Sequence, residues 1–120
     1  MLADKLGQEL KPGRWIVYGH NLGRCAGLRI GLLLAAEMGE SSFHGVPTPW
    51  NRQDRITVWS IDDNHIEYHR FHPEDEWARP KPLSKKSTLL FSSRCLVIPT
   101  ELVPEQYRKQ IAELTKEKHA

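Results

Sequence analysis

The distribution of apolar residues divides the chain into short extended runs followed by one helical segment. Leu2, Leu6 and Leu10 recur at helical spacing, which predicts a short helix or arm over residues 1–10, closed by Lys11-Pro12-Gly13. Trp15, Ile16, Val17 and Tyr18 form a compact β-branched and aromatic run that predicts the first strand, over residues 14–18. Leu28, Ile30, Leu32 and Leu34 alternate as in a strand, although Leu32-Leu33-Leu34-Ala35-Ala36-Glu37-Met38 also suits a helix. Gly27 and Gly31 weaken the helix and favour a strand over residues 28–35, an antiparallel partner for the first. Residues 39–54 are rich in Gly, Ser, Pro and Asn and read as an exposed loop.

Residues 55–61 alternate again through Ile56, Val58, Trp59 and Ile61, and Asp62-Asp63-Asn64 follows as a turn. Ile66, Tyr68 and Phe71 then predict a returning strand, and the prolines between residues 72 and 82 predict irregular chain. Two more strands are expected at residues 88–91 and 95–98, joined as a tight hairpin through Ser92-Ser93 and ended by Pro99. From Val103 onward the chain turns helical. Pro104 suits a first turn, Glu101 and Glu105 lie near the positive end, Lys109, Lys116 and Lys118 follow, and Leu102, Tyr107, Ile111 and Leu114 make one apolar side.

The expected fold is therefore mostly β: a small SH3-like β-barrel or a strongly bent antiparallel sheet of about five or six strands, with a C-terminal helix. An α+β sheet with the helix on one face is the alternative. The expected organisation is a single domain of 120 residues, with an arm over 1–12, a β core over 13–99 and a helix over 100–120.

Composition narrows the class without naming an activity. Hydrophobic residues make up 39% and charged residues 27% of the chain, values ordinary for globular proteins. No apolar run approaches the roughly 18 residues of a membrane span, and Asp4 and Lys5 interrupt any signal-peptide pattern, so a cytoplasmic protein with no membrane partner is expected. Cys25 and Cys95 are the two cysteines and have no zinc-like spacing, which argues against a disulfide framework or a structural metal. The net charge of +2, from 17 basic against 15 acidic residues, is too balanced to announce a nucleic-acid protein.

Chemistry concentrates in the stretch Gly19-His20-Asn21-Leu22-Gly23-Arg24-Cys25-Ala26-Gly27-Leu28-Arg29-Ile30-Gly31, which holds four of the eight glycines. Glycine allows a ligand to approach the backbone, and His, Asn and Arg supply donors for an anionic or amide-bearing group. The expected ligand-binding set is Tyr18, His20, Asn21, Arg24, Arg29 and Trp50, with the arginines on phosphate and Tyr18 or Trp50 stacked on a base. No acid, base and nucleophile can be assembled, so no catalytic residue and no cofactor is expected. His65, Glu67 and His69 would share one face of a strand, with His72 close by, but an exposed His-rich hairpin is the commoner outcome and no metal ligand is assigned. A basic middle, with Arg79-Pro80-Lys81-Pro82 and Lys85-Lys86 as its best cluster, keeps nucleic acid open as a partner.

Lys11-Pro12-Gly13, Trp15-Ile16-Val17-Tyr18-Gly19-His20 and Gly23-Arg24-Cys25-Ala26-Gly27-Leu28-Arg29-Ile30-Gly31 together resemble small phage-encoded proteins of unassigned function. The resemblance covers residues 11–31, about a sixth of the chain. It implies a viral accessory protein made in the host bacterial cytoplasm. It leads to the expectation of a non-enzymatic protein that sequesters a small anionic, nucleotide-like ligand to counter host defence; a nucleic-acid-binding or host-protein-binding small β-barrel is the alternative. Such proteins often use subunit interfaces, so a homo-oligomer fits the same picture.

Overall fold

A computed structural model describes residues 2–22, 25–39, 42–43, 46–47, 54–89 and 92–119. Its centre is a six-stranded antiparallel sheet that does not close into a barrel. The strands are β1 (Trp15–Leu22), β2 (Cys25–Glu37), β5 (Arg55–Asp62), β6 (Lys81–Pro82), β7 (Ser87–Leu89) and β8 (Cys95–Ile98). Their order is β6-β5-β2-β1-β8, with β7 also pairing β5. A separate two-stranded ladder joins β3 (Ser42–Phe43) to β4 (Val46–Pro47). Helix α1 (Ile66–Phe71) follows β5, and α2 (Glu105–His119) ends the fold. The mostly β sheet with a C-terminal helix was the expected class.

Both faces of the sheet carry a core, and strand alternation explains why. One face gathers Ile16, Tyr18, Leu33, Ile56, Val58 and Cys95, with Leu2 and Leu10 of the N-terminal arm laid over them. The other gathers Trp15, Trp59 and Ile61, packed by Val103, Tyr107 and Ile111 at and before α2. Ile30, Leu32 and Leu34 of β2 pack on this helix-covered face, as their spacing predicted. A register shift between Leu33 and Ala35 absorbs one extra residue of β2 against β5. The helix is held further by Tyr107, whose hydroxyl donates to Asp63 at 3.1 Å, and by Gln110, which donates to the Pro80 carbonyl at 3.0 Å.

Gly31 is required by packing rather than by a turn. A Cβ there would lie 2.5 Å from Val58 Cγ2 and 2.7 Å from Ser60 Oγ, so β5 can approach β2 only because the side chain is missing.

Two expected elements are different. Residues 66–71 form helix α1 instead of a returning strand: the Ile66 N–H donates to Asp63 and the His69 N–H to His65, while Glu67 and Arg70 suit the helix dipole. The edge of β5 is taken instead by β6 and β7, so no strand is needed at residues 66–71. The strands near residues 88 and 95 do not form a hairpin: β7 pairs β5 and β8 pairs β1, on opposite sides of β2. Of the two alternatives for the N-terminal segment, residues 2–10 take the arm rather than the short helix, with turns and a bridge between Ala3 and Glu9.

That arm also closes an edge. The Lys5 N–H donates to the Cys95 carbonyl at 3.0 Å, and the Val97 N–H donates to Asp4 Oδ2 at 2.6 Å. Asp4 Oδ1 accepts the N–H groups of Leu6 and Gln8, and the Gln8 side chain donates to Oδ2. Burial pushes the Asp4 carboxyl upward, but these hydrogen bonds outweigh it and hold the group below its ordinary value. A carboxylate thereby replaces a neighbouring strand along β8.

Candidate functional site

The β1–β2 ladder runs without interruption from Trp15 opposite Leu32 to Leu22 opposite Cys25. Its neighbours stop earlier. β8 reaches only to Tyr18, and β5 pairs β2 only from Gly31 onward. The outer part of the hairpin, residues 19–22 with 25–30, therefore extends past both flanking strands.

At the root of this extension lies a cleft of about 280 Å³. Its floor is made by Val17, Gly19, Leu28 and Leu96. The register opposes Gly19 to Leu28 and Val17 to Leu96, so these four share one face, the helix-covered one. Leu28 is 72% exposed there, in contrast to the buried residues farther along the same face. A Cβ on Gly19 would meet nothing within 4 Å, so the missing side chain deepens the floor.

Lys5 from the arm and Arg94 from the turn before β8 line the cleft and are both exposed. Two cations thus border an apolar surface, an arrangement suited to a ligand with an anionic end and a flat apolar body. Cys95 is part of the wall, with its thiol donating to the Ser92 carbonyl at 3.1 Å. Burial, and to a lesser degree the charge of Asp4, pushes that thiol up to about 11. It stays protonated at neutral pH and makes a poor nucleophile.

The six residues singled out from the sequence are dispersed. Tyr18 lines the cleft but is only 3% exposed, and its hydroxyl is hydrogen-bonded to Ser60 Oγ at 2.7 Å. Its ring is part of the core. Arg29 pairs with Tyr18 in the ladder and lies on the face opposite Leu28, so it is on the other side of the sheet from the cleft floor. Its Nε is buried without a hydrogen-bond partner among the described residues. His20 is half-buried and shares the Arg29 face, and Asn21 is placed by its backbone opposite Ala26. Arg24 and Trp50 lie outside the described residues.

Of the expected residues that are described, Tyr18 lines the cleft, and Gly19 and Leu28 of the glycine-rich stretch line it too. Lys5, Arg94 and Leu96 come from segments far from Gly19 in the chain, and only the β1–β8 pairing brings them there. His65, His69 and His72 belong to α1 and its flanks rather than to a strand. Among the described residues no group of three or more His, Cys, Asp or Glu is placed to hold a metal. Among the described residues no helix is long and apolar enough to cross a membrane.

Compared with known proteins, the chain matches no family model, no curated protein and no solved structure.

Proposed function

We propose that this protein is a non-enzymatic binder that holds a small anionic, nucleotide-like ligand in the cleft at Gly19. The observation that carries the reading is the apolar floor at Gly19, with two cationic residues from separate segments among those that line the cleft. A base would lie on Val17, Leu28 and Leu96, and phosphate would meet Lys5 and Arg94. The volume of about 280 Å³ is close to the lower end of small-molecule sites, which suits one nucleotide unit better than a large cofactor. The protonated Cys95 thiol supports binding over covalent chemistry. With the phage resemblance of residues 11–31, such binding gains a role: sequestration of a nucleotide signal used by host defence, for which affinity alone suffices.

A second reading rests on the hairpin itself. A two-stranded β-ribbon is one of the elements that fit the major groove of DNA, and the outer β1–β2 hairpin has that form. Salt separates the two readings. Titration with a nucleotide panel and with duplex DNA at two ionic strengths is expected to show nucleotide binding that weakens little with salt. It should fall roughly 10- to 150-fold in Arg94→Ala and in Lys5→Ala, given about 1.5–3 kcal/mol for hydrogen bonds to charged groups. Steeply salt-dependent duplex binding with no nucleotide affinity would favour the ribbon and reject the cleft.

A further inference from the structure

Residues 63–79, between β5 and β6, build a surface of exposed rings. Backbone hydrogen bonds lead from one turn to the next: the Ile66 N–H donates to the Asp63 carbonyl, His69 to His65, His72 to Tyr68, Asp75 to His72 and Arg79 to Glu76. Side chains close the segment on itself. The Tyr68 ring stacks on His72 with centroids 4.4 Å apart and lies 5.1 Å from Trp77, which meets His65 edge-to-face at 5.2 Å. The Tyr68 hydroxyl donates to Asp75 Oδ2. Ala78 and Pro80 are buried and tie the end of the segment to the body of the fold.

This ordering leaves the apolar surface of the segment unused. A six-residue helix gains little stability by itself, and helices ordinarily hold because an apolar face is packed away. Helix α1 has no buried residue. Tyr68 is 40% exposed, Trp77 60% and Phe71 82%, and Phe71 takes part in no ring contact among the described residues. Three of the seven large hydrophobic side chains exposed among the described residues thus fall between positions 68 and 77. Clustered exposed aromatics mark partner surfaces, where Trp, Tyr and Phe supply contact area.

Charge selects the partner. Residues 62–77 hold six of the 15 acidic residues, Asp62, Asp63, Glu67, Glu74, Asp75 and Glu76, and one of the 17 basic ones, Arg70. Glu67, Glu74 and Glu76 are exposed, and Glu67 and Glu76 have no ion pair among the described residues. Asp75 is bonded to Tyr68 and Glu74 lies 3.7 Å from His72, so carboxylates border the rings. That setting repels phosphate and favours a planar cation, which can lie on an aromatic face and donate to a carboxylate beside it. A guanidinium does both.

We propose that this surface docks a protein partner through an arginine-bearing segment, whose guanidinium groups lie on Trp77 and Phe71 and pair with the neighbouring carboxylates. None of these residues lines the cleft at Gly19, so the proposal stands whether or not that cleft takes a nucleotide.

The test titrates the full chain with short blocked peptides that alternate glycine with arginine, with lysine, or with citrulline, the uncharged counterpart of arginine. The Trp77 indole and Phe71 ring signals are followed by NMR. The expected result is a saturable shift of both with the arginine peptide, at least about fivefold tighter than the citrulline peptide, tighter than the lysine peptide and weaker as salt is raised. Trp77→Ala and the double variant Glu74→Gln with Glu76→Gln should each weaken arginine binding at least about threefold. The double variant changes charge but not size, so it decides the matter if Trp77→Ala disturbs the fold. Equal affinity for the arginine and citrulline peptides, or arginine binding that survives the double variant, would overturn the proposal. Trp77 signals that shift with protein concentration alone would name a second copy of the chain as the occupant and overturn it as well.

Discussion

The inner and outer halves of the β1–β2 hairpin use the same two strands in one register, yet their surroundings are opposite. On the inner half, residues 15–18 and 31–37 lie between β8 and β5 and are covered on one face by the N-terminal arm and on the other by α2. On the outer half the flanking strands have ended, and Leu28 stands exposed where Leu33 is fully buried. Gly31 and Gly19 mark the difference. The first has no room for a methyl group, and the second has open space. Glycine in a strand can thus serve backbone packing or a vacant surface, and only the neighbouring strand decides which.

The largest effect is expected from filling the inner glycine. Gly31→Ala forces Cβ against Val58, Ser60 and the Trp59 carbonyl, and should lower stability by about 2–4 kcal/mol in chemical denaturation. An unchanged denaturation midpoint would erase the contrast between the two halves.

Removing the edge cap comes next. Asp4→Ala leaves the Val97 N–H and three other donors without their acceptor and should cost about 1–3 kcal/mol at neutral pH. The Asp4 carboxyl is held below its ordinary 3.8, so its contribution is complete above that value and is lost as pH falls through the lower, folded-state value. The stability gap between wild type and Asp4→Asn should therefore be constant from pH 5 to 7 and narrow below about pH 4. A gap that widened on acidification would contradict the assigned hydrogen bonds.

A smaller loss is expected at the boundary between the halves. Tyr18→Phe strips the partner from the Ser60 hydroxyl, which is fully buried, and should cost about 1–2 kcal/mol; the double variant with Ser60→Ala should recover part of it. The smallest effect belongs to the outer glycine. Gly19→Leu adds a side chain to open space in a strand, and its melting temperature should stay within about 2 °C of wild type.

The parts of the fold visible in the sequence were those fixed by local pattern. The run Trp15-Ile16-Val17-Tyr18, the alternation through Ile56, Val58 and Ile61, and the spacing of Tyr107, Ile111 and Leu114 each carry their own period. Residues 66–71 misled because Ile66, Tyr68 and Phe71 fit a strand, while none of them is buried enough in α1 to leave a helical stripe. The partners of β7 and β8 were not legible at all: both strands are short, and their pairing depends on edges made by distant strands. Asp4 resembled an ordinary surface carboxylate, since the Val97 N–H that it caps is 93 residues away.

The candidate site was legible in the same limited sense. The glycine-rich stretch drew attention to Gly19, but Arg29 is displaced to the opposite face by its position in the register, one residue from Leu28. The cations that do line the cleft, Lys5 and Arg94, come from unremarkable sequence. Gly31, counted with the loop glycines, is a packing position deep in the sheet.

The central claim is that the cleft at Gly19 is the binding site, and calorimetric titration of wild type and Gly19→Leu with the same nucleoside monophosphate tests it most directly. The leucine should fill the floor above Val17 and Leu28, abolishing measurable binding while the folded protein melts as before. Equal affinity in the two proteins would contradict the account and place the ligand, if one binds, elsewhere on the molecule.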